Sequence, residues 1–141
     1  MARKNIHGVQ INSTPTIVRK AGAEIEDARN LIMKFDANGD FVLATAGTDI
    51  PVGVAIIEAG YNDVTGVEAG KVPKGEDVTV QIKDIGYVIA GAEIKAGQEV
   101  AAGAGGKAAV AATGNNVLGI ALNSVSAGGY CEIQITKYQK N

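Results

Sequence analysis

Two stretches of the chain alternate strictly between apolar and polar residues. Val78, Val80 and Ile82 alternate with Asp77, Thr79, Gln81 and Lys83, while Cys131, Ile133 and Ile135 alternate with Tyr130, Glu132, Gln134 and Thr136. A period of two sorts each set onto one side of a pleated strand, so one face of each is core and the other is wet or interfacial. Two further runs, Val52-Gly53-Val54-Ala55-Ile56-Ile57 and Val117-Leu118-Gly119-Ile120-Ala121-Leu122, are apolar on both faces. Strands of that kind are covered on two sides, here by a second sheet layer or by a neighbouring subunit. The short apolar runs together predict strands at 16–20, 31–35, 41–44, 52–57, 77–83, 87–90, 107–111, 117–122 and 130–136. Asn38-Gly39 predicts a type I′ hairpin turn, whose two central residues both need positive φ, and Gly105-Gly106 occupies the matching place further on. Helical periodicity is limited to a weak stretch at 25–34, broken at Arg29 and Asn30.

The elements repeat in order. Ala21-Gly22-Ala23-Glu24-Ile25 recurs as Ala90-Gly91-Ala92-Glu93-Ile94, an offset of 69. Gly39-Asp40-Phe41-Val42-Leu43-Ala44 aligns with Gly106-Lys107-Ala108-Ala109-Val110-Ala111 at 67, and Val52-Gly53-Val54-Ala55 with Leu118-Gly119-Ile120-Ala121 at 66. The two alternating runs differ by only 53, because the first copy carries an extra loop at about 61–73. Two units are too few for a solenoid. The expected architecture is all-β: a compact β-barrel or sandwich with a pseudo-twofold internal repeat and an extended N-terminal arm. The arm spans 1–15 and the single β domain 16–141, with repeat 1 at about 16–83 and repeat 2 at about 86–136.

Composition agrees with strands. The chain has 141 residues, one domain by size, with 22 Ala, 15 Val, 15 Ile, 19 Gly, 4 Leu and no Trp. Net charge is −2 with signs interspersed, which argues against nucleic acid as the main partner. No signal-peptide core and no apolar run of membrane length is present, so no membrane role is expected.

Candidate chemistry is sparse. His7 is the only histidine and lies in the arm, so no histidine-based triad is expected in the core. Cys131 is the only cysteine and falls on the inward side of its strand, where a thiol acts as a small hydrophobe. Asp36, Asn38 and Asp40 resemble the start of a calcium loop, but Phe41 stands where that loop needs Gly and Gly47 where it needs a bidentate Glu. A hairpin turn with solvated carboxylates is the preferred reading, with a weak cation site open. Lys34 next to Met33 invites comparison with biotin carriers, yet it falls inside a strand and not at a turn tip. Glu24 and Glu93 occupy equivalent turn positions, as solvated loops do. No catalytic residue, cofactor or metal is assigned, and the chain reads as no enzyme.

The order A-G-x-x-I, G, V-x-A, h-G-h-A, G-x-x-V-x-V-x-I (h apolar), present twice, resembles the capsid-cement or head-decoration proteins of tailed bacteriophages. Its strongest part is Gly75-Glu76-Asp77-Val78-Thr79-Val80-Gln81-Ile82, then Ile89-Ala90-Gly91-Ala92-Glu93-Ile94-Lys95-Ala96-Gly97-Gln98-Glu99-Val100, then Val117-Leu118-Gly119-Ile120-Ala121-Leu122, within a likeness covering roughly 16–136. The resemblance implies a homotrimer on the outer capsid surface of a virion assembled in the host cytoplasm, bound to the major capsid protein lattice and stabilising it. Arg3, Lys4, Ile6, Val9 and Ile11 of the arm are the expected capsid or subunit contacts, since an extended arm can add a strand to a partner's sheet edge. The alternatives are a small-molecule or carbohydrate-binding β module, disfavoured by 4% aromatics, and a phage fibre or tail component.

Overall fold

A computed structural model describes residues 13–141. Arg3, Lys4, Ile6, His7, Val9 and Ile11 lie outside the described residues. Among the described residues there are ten strands: β1 (Thr16–Lys20), β2 (Ile32–Phe35), β3 (Phe41–Leu43), β4 (Gly53–Ala55), β5 (Asp77–Gln81), β6 (Ile85–Ile89), β7 (Glu99–Ala102), β8 (Ala108–Val110), β9 (Asn116–Ala121) and β10 (Tyr130–Gln139). They form two antiparallel five-stranded sheets packed as a β-sandwich, in the orders β1-β5-β4-β2-β3 and β6-β10-β9-β7-β8.

Raising each label of the first order by five produces the second. The bonding outside the strands follows the same offsets. Ala21 bridges Phe41 in parallel and Ala90 bridges Ala108, while Ile25 bridges Val72 and Ile94 bridges Val125, both antiparallel. Because β1 and β3 are the two edges of their sheet, the Ala21–Phe41 bridge curls that sheet toward closure. The Ala90–Ala108 bridge does the same for the other.

The h-G-h-A runs explain why two strands sit so close in each sheet. A Cβ at Gly53 would collide with the carbonyl of Gln81 on β5, and one at Gly119 with the carbonyl of Gln134 on β10. Neither contact leaves room for any side chain.

The strands that are apolar on both faces are covered from within the chain. Ala55 lies in a cluster of first-half residues that includes Met33, Phe41, Val78 and Val80. Its neighbour Val54 points the other way, joining Ile32, Ala44, Val88, Leu118, Cys131 and Ile133 in a core shared by both sheets. Val54, Ala55, Val117 and Leu118 are buried in the single chain, so of the two expected covers the chain itself supplies the one these strands need. Only the ends of the runs, Ile57 and Leu122, are exposed.

Asn30 stitches the halves together. It sits at φ 58°, a left-handed conformation that asparagine tolerates. Its backbone N–H donates to the Ala55 carbonyl and its own carbonyl accepts from Ile89. Its side-chain Nδ2 donates to the Tyr87 carbonyl at 3.0 Å. One residue thus takes the place of a neighbouring strand along the edge of β6.

Two expectations need correction. Only Gly39 of the Asn38-Gly39 pair has positive φ, and the loop is a turn closed by Gly39 N–H to the Asp36 carbonyl, with Asp36 N–H to the Asp40 carbonyl completing a bulge. Asp at the first turn position and Gly at the fourth suit a type I turn, which wins over the two-residue type I′ alternative. The Gly105-Gly106 turn repeats both hydrogen bonds, Gly106 N–H to Gly103 and Gly103 N–H to Lys107, with positive φ at both glycines. The second correction is β7, a strand at Glu99–Ala102 absent from the predicted set. Its alanines have weak strand preference, and pairing with β8 and β9 overrides it.

Candidate interaction surfaces

The residues singled out for chemistry are spread apart. Cys131 is fully buried in the shared core, and desolvation pushes its thiol pKa up, which disfavours the thiolate. Lys34 ends in a 2.8 Å ion pair with Asp49, whose other oxygen accepts the Thr45 and Ala46 backbone N–H groups. Asp36 Oδ1 is taken by the N–H groups of Asn38 and Asp40, so the supposed calcium-loop carboxylate closes its own turn. Glu24 lies 3.8 Å from Lys71 in the first half, and Glu93 is exposed in the second. Among the described residues, no three His, Cys, Asp or Glu side chains are grouped to hold a metal.

Three exposed regions remain. The first is the outward face of the second sheet, where the alternation of β6 and β10 directs Ile85, Tyr87 and Tyr130 to solvent. Tyr87 stands opposite Glu132 in the register, and its hydroxyl donates to Glu132 Oε2 at 2.9 Å. That bond holds the phenol in its protonated form and raises its pKa. Further along β10, the Tyr138 hydroxyl donates to Glu99 Oε2, and Lys140 pairs with the other oxygen at 3.1 Å. Tyr138 first and Lys140 second hold the Glu99 carboxyl below its ordinary range. These tyrosines are amphipathic, and fixed hydroxyls cut the entropy they would lose on binding.

The second region is the extra loop of the first half, residues 61–73. Its base is closed by Tyr61 N–H to Lys71 and Gly70 N–H to Tyr61. Asp63 organises the tip by accepting the backbone N–H groups of Thr65 and Glu68 and the Thr65 hydroxyl. The result presents Val64, 98% exposed, and Val67, 85% exposed. A loop ordered by a carboxylate with two bare valines at its tip has the form of a contact element.

The third region is a cleft of about 310 Å³ where residues 50–51 of the first half meet the end of β10. Ile50 is 75% exposed at its lip, and Lys137 reaches across to donate to the Val52 carbonyl at 2.9 Å.

No family model matches the chain, and no curated protein matches it either. A solved structure, the head fiber gp8.5 N base of bacteriophage phi29, is similar with a TM-score of 0.60 and 22% sequence identity, over 88% of this chain and 97% of that one. The backbone fold of this chain is similar to that of this head-fiber base. At this identity the likeness concerns the backbone and transfers no residue role.

Sequence reading missed Lys137 and the two loop valines. Lys137 follows the alternating run through a β-bulge between Ile135 and Tyr138, which re-aims its side chain. Val64 and Val67 sit among turn residues with no period to give them away. The tyrosine face was legible, since Tyr130, Glu132 and Gln134 form the polar register of an alternating strand.

Proposed function

We propose that the protein is a non-enzymatic structural component of a bacteriophage head, bound to the outside of the assembled shell. The observation that carries this reading is the backbone likeness to a head fiber base over 97% of that chain. A sandwich whose two sheets share one core supplies a stiff body, and exposed tyrosines and a rigid valine-tipped loop supply contact area. The finer reading is a cement role: bound to the major capsid protein lattice as a homotrimer, the protein stabilises the shell. Binding only to the assembled lattice shifts the equilibrium toward the intact shell by mass action. A second reading, the base of a fibre standing on the head, is favoured by the nature of that same neighbour.

Cosedimentation with expanded, undecorated heads tests the common element, with retention on heads expected and recovery in the supernatant at saturating lattice counting against it. Cement and fibre base then separate on heating. Decorated heads that retain DNA to a higher temperature than bare heads support cement, whereas binding with no thermal gain supports a base whose task is to hold something else.

A further inference from the structure

The two halves of the chain meet through unlike surfaces. On the first half, Asn30 and Gln81 bond to the outward edge of β6 at Ile85, Tyr87 and Ile89. Val54 and Ile56 line a small cleft there with Tyr87, while Ile32, Ala44 and Val54 enter the shared core. The second half receives them on β6 and on the Gly106 turn, where a Cβ would press on Leu43 and Leu31.

Each surface has a counterpart on the other half, and among the described residues neither counterpart is docked. Gly97 stands where Asn30 does: its N–H donates to Ala121 as that of Asn30 donates to Ala55, and both residues are left-handed, at φ 90° and 58°. Matching registers make Glu99 the counterpart of Ile32, Ile120 of Val54 and Gln134 of Gln81. Leu122 takes the place of Ile56, since its N–H donates to Glu132 as that of Ile56 donates to Thr79. On the receiving side, Val18, Arg19 and Lys20 of β1 match Tyr87, Val88 and Ile89 of β6. The bonds from Ile82 N–H to Pro15 and from Ala21 N–H to Glu76 set the phase of the β1 ladder, so Val18 and Lys20 turn their N–H and C=O groups outward. The Val18 carbonyl accepts from the Arg19 guanidinium at 2.7 Å, and the Lys20 N–H has no partner among the described residues. Gly39, in the place of Gly106, has nothing within 4 Å of where a Cβ would lie.

We propose that these two undocked surfaces meet between copies of the chain, the second half of one copy seating on the first half of the next as the halves seat within one chain. The Gly97 carbonyl accepts the Lys20 N–H, in the manner of Asn30 and Ile89. Leu122, 41% exposed, covers Val18, 45% exposed, in the manner of Ile56 and Tyr87. The core positions of Ile32 and Val88 become Glu99 and Arg19, opposite charges across the contact. Glu99 already holds Tyr138 and Lys140, but Arg19 has no carboxylate partner among the described residues. Because the two surfaces differ, the contact is head to tail and has no dyad. The inference rests on the contacts between halves and goes beyond the head-surface reading, to which it adds the interface that a homotrimer needs.

The test follows the full chain by size-exclusion chromatography with light scattering, up to millimolar concentration. The parent should assemble beyond the monomer. Leu122→Asp breaks the docking surface and Val18→Asp the receiving one, and each variant should be monomeric with an unchanged melting temperature, both sites being exposed. Mixed in equal amounts, the two should form a one-to-one dimer and nothing larger, because each retains the surface that the other lacks. A dyad-related contact would instead set the two aspartates against each other in the mixture. A parent that stays monomeric, a variant that assembles as the parent does, or a mixture that remains monomeric overturns the proposal. Should an aspartate variant not fold, Leu122→Ser replaces the first and Lys20→Pro, which removes the outward N–H, the second. No heads enter the test, so its failure leaves the head-surface reading standing.

Discussion

Gly53→Ala should be among the costliest small substitutions in this protein. The new methyl would lie against the carbonyl of Gln81 and press on Val80 Cγ1. Backbone cannot rotate away as a side chain can, so β4 and β5 must separate. Their pairing is short, Val54 with Gln81 and Ala55 with Val80, and losing it forfeits about 1 kcal/mol per hydrogen bond. Crowding of the flanking core adds roughly 1–3 kcal/mol, offset by about 0.4–1 kcal/mol from the less flexible unfolded chain. The expected loss is therefore roughly 2–4 kcal/mol, a fall in melting temperature on the order of 10 °C for a domain of this size. Gly86→Ala is the control. Its methyl would meet the end of the Gln81 side chain at 3.3 Å and Ile135 Cδ1 at 3.5 Å, and both can yield. That variant should stay within about 1 kcal/mol of the parent. Thermal unfolding followed by circular dichroism measures both. Equal melting temperatures for the Gly53→Ala variant and the parent would refute the close-approach account. Gly119→Ala should behave like Gly53→Ala and lower the same single transition, because Val54 and Leu118 share one core.

Cys131→Ser puts a hydroxyl into that shared core and should cost about 1–3 kcal/mol in chemical denaturation, without loss of head binding. Stability should also fall in acid. The Asp49 carboxyl is held below its ordinary range, chiefly by the Lys34 hydrogen bond, so the unfolded chain binds its proton first. Its contribution is full above the unfolded carboxylate pKa of about 4 and is lost as pH drops through the lower folded value, whereas Lys34→Met should flatten that part of the pH–stability curve. Deleting residues 2–12 should leave the melting temperature nearly unchanged while head binding or trimer stability falls at least about tenfold, or 1.4 kcal/mol. Wild-type decoration and light scattering by the truncated protein would make the arm a passive tail.

Much of the sandwich was legible because strands announce themselves by period and their order by repetition. β1 falls at the expected 16–20, and the inward placement of Val78, Val80, Cys131 and Ile133 follows from alternation alone. β7 was hidden by alanine, although its position 67 residues beyond β2 could have exposed it. Asn30 looked like a residue that breaks a helix. Its actual task, bonding to Ala55, Tyr87 and Ile89, depends on partners 25 or more residues away that no local pattern reveals. The Lys137 cleft was invisible for a related reason: it exists only where a bulge in one half faces a loop of the other.

The way Asn30 sits along β6 bears on solubility. That strand, Ile-Gly-Tyr-Val-Ile, has no charge and no proline, the make-up of a segment that seeds cross-β aggregates when its edge is free. The Asn30 side chain occupies the Tyr87 carbonyl, the Asn30 carbonyl occupies the Ile89 N–H, and the Gln81 side chain takes the Ile85 carbonyl. Two amide side chains and one backbone carbonyl thus act as gatekeepers, closing the sticky edge without spending a charge on it. For any protein held at high local concentration, such blocking separates ordered packing from fibre growth.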